Sequence, residues 1–234
     1  MAIDCALKNG VKYIFYGSLG FAGSPDNQET VAHVMRAHID TERYLKQLST
    51  DIPGFVFTVV REGLYTESYP GYTAFFDPRS PSSEIRIPHD GAGPGVAWVK
   101  REELGEGTAE LIKRFVHNQN AFPYRNSTVL LSEPKALTLA ETVDVLGKVA
   151  ATPVKIRNVS VEEFADQHLN KEFLTYKGYD YSTLWASSFA AIRRGEACVV
   201  TPLLAELLGR EPEGFQSTIA SQQSLTRTRN RFGA

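Results

Sequence analysis

Val11-Lys12-Tyr13-Ile14-Phe15-Tyr16, running into Gly17-Ser18-Leu19-Gly20, decides the fold. The first six residues, rich in β-branched and aromatic side chains, read as a strand, and the glycine-containing segment after them reads as the loop at its end. Upstream, Met1 to Asn9 carries Ile3, Ala6 and Leu7 on one helical face and is stopped by Gly10. Downstream, Asp26-Asn27-Gln28-Glu29 has the form of a capping box. Val31, Val34, Met35, Leu45 and Leu48 then recur at helical spacing, which predicts a long helix over residues 28–48.

After Pro53-Gly54 the run Phe55-Val56-Phe57-Thr58-Val59-Val60 is almost continuously apolar, as expected of a strand covered on both faces. Helix, strand, helix, strand predicts a parallel α/β sheet whose ligands sit beyond the carboxyl ends of the strands. Those ends are Gly17 to Gly20 and Arg61 to Tyr65. From Pro78 onward the pattern becomes irregular, with short strands at Glu84 to Ile87 and Val96 to Val99. Capping boxes at Thr138-Leu139-Ala140-Glu141 and Ser160-Val161-Glu162-Glu163 start two later helices, each preceded by a strand, at Thr128 to Leu131 and Pro153 to Val159. Thr201-Pro202 opens another, with Pro at the first helical position. The predicted organisation is a parallel α/β sheet half over residues 1–77, smaller irregular elements interleaved with the core over 78–216, and a polar, disordered tail over 217–234 containing Arg227, Arg229 and Arg231.

A formal net charge of -2 provides no basic footprint for nucleic acid or anionic membrane. Cys5 and Cys198 stand far apart without metal or redox spacing, and no run of about 18 apolar residues could span a bilayer, so the expected compartment is the reducing cytoplasm. Neither His33 nor His38 has a cysteine or carboxylate at zinc spacing, and no metal is expected. No Gly-x-Ser-x-Gly elbow supports acyl transfer.

Gly17-x-x-Gly20-x-x-Gly23 imitates a dinucleotide fingerprint. Because Ser24-Pro25-Asp26 separates it from the next helix, phosphates lying on it would not meet a helix N-terminus, and it reads as a decoy. Gly91-Ala92-Gly93-Pro94-Gly95 reads as a turn-rich loop. His38 and Glu42 fall on the helix stripe that should face the sheet, four residues apart and placed to satisfy one another. Two readings stand open: a proton-transferring or ribose-binding histidine whose tautomer Glu42 fixes, or a structural core histidine. Arg61-Glu62-Gly63-Leu64-Tyr65 likewise reads either as a ligand-facing segment, with Gly63 allowing close approach, or as a rim ion pair beside a packing tyrosine.

Four segments together resemble the NmrA-like family of atypical short-chain dehydrogenases/reductases. Ala2 to Gly20 is similar to its helix, Gly-Val, strand, Ser-Leu-Gly stretch. His38-Ile39-Asp40-Thr41-Glu42 is similar to the His-x-x-Thr-Glu helix of its quinone and triphenylmethane reductases. Arg61 to Glu67 resembles its Arg-x-Gly-x-Tyr-x-Glu segment, and Val99 to Leu104 a later strand-to-helix junction. The resemblance implies an α/β fold with a partial Rossmann-like parallel sheet, a smaller α+β substrate lobe, NADP or NAD as cofactor, and hydride transfer to a quinone, imine or enone. It implies Gly17, Ser18, Leu19, Gly20, Arg61, Glu62 and Gly63 at the cofactor, His38 and Tyr65 as catalytic groups, and Tyr65 with Arg61 walling the substrate pocket. The family's alternative role is a noncatalytic, NAD(P)-sensing regulator with a protein partner.

Two departures stand out. The Tyr-x-x-x-Lys pair of short-chain dehydrogenases is absent, Val34 and His38 standing at that spacing. Relative to the family, roughly 80 to 90 residues with the Gly-rich turn are expected ahead of Met1, at about 30 residues per βαβ unit. The chain as given is therefore expected to turn over little, and to present an open sheet edge suited to a protein partner or self-association.

Overall fold

The computed structural model describes residues 2–221. Helix α1 (Ala2–Lys8) leads into strand β1 (Tyr13–Leu19), a 3-10 turn (His33–Met35) and helix α2 (Arg36–Asp51). Strand β2 (Val56–Glu62) follows, then β3 (Leu64–Tyr65), a 3-10 segment (Thr66–Tyr72), β4 (Glu84–Ile87), β5 (Trp98–Val99) and α3 (Arg101–His117). The remainder is β6 (Ser127–Leu131), α4 (Leu139–Ala150), β7 (Lys155–Asn158), α5 (Val161–Ala165), α6 (His168–Phe173), a hairpin β8 (Thr175–Tyr176) and β9 (Tyr179–Asp180), α7 (Ser182–Arg193) and α8 (Leu203–Leu208).

Strands β1, β2 and β6 form one parallel sheet in the order β1-β2-β6. The central strand is buried from Val56 through Arg61, which explains its almost continuously apolar run up to Val60. Leu45 of α2 packs on one face with Phe57 and Val59, and Ile3 and Leu7 of α1 close that layer. On the other face Val60, Val129 and Leu131 meet Leu104 and Leu111 of α3 and Leu204 of α8. A third core, holding Met35, Tyr72, Trp98, Phe164, Phe189 and Phe215, fills the lobe built around the parallel pair β4 and β7. Among the described residues, no helix is long and apolar enough to cross a membrane.

Four boundaries differ from the sequence reading. Strand β1 continues through Leu19, since Ser18 and Leu19 stay in register with Arg61 and Glu62. The glycines there do not end the strand: an added Cβ at Gly20 would lie 2.9 Å from the Glu62 carbonyl, so Gly20 allows the backbones to meet. The long helix begins at Arg36, not near Gln28. Asn27 forms an Asx turn with the Glu29 amide (3.1 Å), and the side chain of Glu196, far along the chain, accepts from Thr30 Oγ1 (2.6 Å) and the Val31 amide (3.2 Å), holding this stretch outside the helix. Pro202 sits at the N-cap of α8 rather than inside it. Finally, residues 215–221 are helical with Thr218 and Ile219 buried, so the expected tail is ordered at its start. Arg227, Arg229 and Arg231 lie outside the described residues.

The two capping boxes cap as expected at their first residues. Thr138 and Glu141 bond reciprocally at the start of α4. Ser160 accepts from the Glu163 amide (3.1 Å), while the Glu163 side chain turns to Arg86.

Candidate functional site

The carboxyl ends of β1 and β2 bring together Tyr16, Gly17, Ser18, Arg61 and Glu62, with Tyr65 just beyond and His38 and Glu42 arriving from α2. Pleating puts Tyr16 and Ser18 on one face of β1, toward α2. His38 is half-buried, and its Nδ1 lies 3.0 Å from the Tyr16 hydroxyl. It does not pair with Glu42, as the helical spacing suggested. Glu42 instead accepts from Ser18 Oγ (2.6 Å) and from Arg61 Nε (3.0 Å) and Nη2 (2.6 Å).

Arg61, expected to face cofactor and substrate, has no exposed surface. Besides Glu42 it donates to the Ser24 carbonyl (2.9 Å) and the Asn27 carbonyl (2.7 Å), so it braces the loop after β1 against α2 rather than forming a rim pair or a pocket wall. Gly63 also serves packing: an added Cβ would stand 2.7 Å from Val99 Cγ2 and 2.9 Å from the Leu131 carbonyl. Leu19 packs against the lobe core and Gly20 against β2. Of the glycines assigned to ligand contact, only Gly17 is open; it is exposed, and the nearest atom to an added Cβ is Glu62 Oε1 at 3.9 Å.

Burial pushes the His38 pKa down, with Glu42 and then Glu62 opposing, so the imidazole is neutral at pH 7. Tyr65 is pushed up to about 12, first by burial and then by its hydrogen bond to Glu62. Its phenol stays protonated and donates to Glu62 Oε2 at 2.5 Å. The arrangement therefore offers a neutral histidine bonded to a tyrosine hydroxyl, and a second tyrosine bonded to a carboxylate, on either side of an uncovered glycine. Tyr16 escaped the sequence reading because an aromatic in a strand reads as core. Its place two residues before Ser18, on the same face, is the signal that was available. Among the described residues no group of three or more His, Cys, Asp or Glu is placed to hold a metal ion.

A parallel sheet with crossover helices, polar groups gathered at its carboxyl ends and a second lobe define a Rossmann-like α/β protein. NmrA-like family domain-containing oxidoreductase flvB of Aspergillus flavus is 31% identical over 210 residues, which are 90% of this chain and 62% of the relative. NADPH-dependent quinone oxidoreductase QOR2 of Escherichia coli, solved with NADPH, matches with a TM-score of 0.69 at 22% identity over 94% of this chain and 69% of that one. Triphenylmethane reductase of Citrobacter sp., solved with NADP(H), matches with a TM-score of 0.66 at 24% identity over 94% of this chain and 68% of that one. No protein-family model matches the chain. The chain is similar to this NmrA-like relative along 90% of its own length, and spans 62% of the length of the curated relative it matches.

Proposed function

We propose that this chain forms the nicotinamide-side and substrate-side part of an NAD(P)-dependent reductase that transfers hydride to a small acceptor of the quinone, imine or enone class. The observation that supports the reading is the open Gly17 at the carboxyl end of β1, flanked by the Tyr16–His38 hydrogen bond and by Glu62 with Tyr65. A flat ring can approach the backbone there because no side chain intervenes. The residues fit that end of a dinucleotide. They do not fit its pyrophosphate: Gly20 and Gly63 are filled by neighbouring backbone, and Gly23 donates to the Glu196 carbonyl instead of opening a helix.

When bound, the reduced nicotinamide supplies the hydride. The protein's part is orientation and a hydrogen bond to the charge that develops on the acceptor. His38, with Nδ1 engaged by Tyr16, retains Nε2–H as the donor to the acceptor atom that gains charge as hydride arrives, the proton of the reduced product coming from water, and the Tyr16 hydroxyl holds the ring in place. Tyr65, committed to Glu62, fixes the carboxylate beside Gly17.

The test is binding of reduced nicotinamide mononucleotide, which lacks the adenylate half, followed by saturation-transfer NMR. The expected result is contact to the nicotinamide ring, lost in Gly17→Val with the fold intact. Failure to bind, or equal binding by Gly17→Val, would overturn the reading. In a quinone-coupled NADPH oxidation assay, any turnover should fall at least about tenfold in His38→Ala, as expected when a preorganised donor to the developing charge is removed.

A further inference from the structure

Glu133 is a buried carboxylate without a function in the site described above. It follows β6 by two residues, is 9% exposed, and has no hydrogen-bond or ion-pair partner among the described residues. Burial pushes its pKa up to about 7, with Glu103 adding and Lys135 opposing. An ionisable group so placed is costly unless something completes it.

The carboxylate lines a cleft of about 350 Å³ together with Leu137, Val145 and Phe215. The chain crosses this cleft at Gly214, where an added Cβ would lie 3.1 Å from Glu133 Oε1, so a side chain at that position would take up space beside the carboxylate. The acidic groups nearby are already engaged. Glu103 is paired with Arg210 and accepts from the Glu213 amide, Glu213 is paired with Lys100, and Glu141 belongs to the α4 capping box. Lys135, Lys148, Asp144 and Glu141 also line the cleft, and Lys135 opposes the upward shift of Glu133.

We propose that this cleft binds a small organic cation carrying N–H donors, an alkylammonium or alkylguanidinium, with its charge on Glu133 and its alkyl part against Leu137, Val145 and Phe215. N–H donors form short, charge-assisted bonds with a carboxylate, and the apolar wall favours an attached alkyl chain. A bare metal ion does not fit, because the described residues offer no group of three ligands. The proposal is independent of the dinucleotide reading.

The experiment titrates the full chain with n-butylammonium and n-butylguanidinium, using butyrate and 1-butanol as controls, by calorimetry at pH 6 and pH 8. Saturable binding of the cations is expected at pH 8. It should weaken about tenfold at pH 6, where protons occupy a carboxyl group titrating near neutrality. Glu133→Gln, which keeps the shape of the protonated acid, should lose the cations; Lys135→Met should keep them. Absence of saturable binding at pH 8, equal binding by Glu133→Gln, or equal binding of 1-butanol would overturn the proposal. If Glu133→Gln does not fold, the carboxyl ¹³C resonance of Glu133 decides. Butylammonium must shift its titration to lower pH, and an unmoved titration would also overturn the proposal.

Discussion

Arg61 and Glu42 meet as a two-point pair, Nη2 to Oε2 at 2.6 Å and Nε to Oε1 at 3.0 Å, with side-chain exposures of 0% and 2%. Removing either partner strands the other charge away from water. Glu42→Ala or Arg61→Ala is expected to cost about 3–5 kcal/mol in urea unfolding. Replacing both, as Glu42→Leu with Arg61→Met, should recover most of that loss. Hydrogen exchange should still quicken over residues 24–28, since Arg61 also holds the Ser24 and Asn27 carbonyls.

His89 gives a pH signature. The ring has no exposed surface; Nδ1 accepts from the Gly91 amide (2.9 Å) and Nε2 lacks a partner among the described residues. Burial and then Arg193 push its pKa below the ordinary 6.5, with Asp90 opposing. The folded state thus binds the proton less readily than the unfolded one. The stability tied to this group is complete above pH 6.5 and drains away as pH falls below it. Thermal melts from pH 8 to pH 5 should show a steeper acid-side fall in wild type than in His89→Gln.

Trp98 is fully buried and donates Nε1–H to Thr142 Oγ1 at 3.0 Å, while the Thr142 hydroxyl donates to the Thr138 carbonyl at 2.9 Å. Thr142→Val keeps the volume but leaves the indole N–H unsatisfied. The expected loss is about 1–3 kcal/mol, read from chemical denaturation.

Two glycines should respond oppositely to alanine. Gly105 lies in α3 with nothing within 4 Å of an added Cβ, so Gly105→Ala should stabilise by about 0.5–1 kcal/mol. At Gly95 the new Cβ would fall 2.1 Å from the Leu137 carbonyl oxygen. Gly95→Ala must therefore break the Val96–Leu137 bridge and lower the melting temperature.

The sheet was legible because β2 is apolar from Val56 to Val60 save for Thr58 and β1 carries aromatics before its glycines. The start of α2 was not, because an Asx turn at Asn27 and a distant carboxylate compete with the local capping signal. At the site, helical spacing singled out His38 and Glu42 and paired them with each other. Their true partners, Tyr16 and Arg61, come from two different strands, and only the assembled sheet brings them within reach. Gly63 and Gly20 show the complementary limit: a glycine admits a close neighbour, and sequence alone does not say whether that neighbour is ligand or backbone.

The Glu196 tether has a consequence for synthesis. Thr30 and Val31 take their partner 166 and 165 positions later, and the Gly23 amide also reaches the Glu196 carbonyl. During vectorial emergence from a ribosome, the connection between β1 and α2 must wait for residue 196 before it can set. Nascent fragments ending short of residue 196 would carry that segment unfastened and open to proteases.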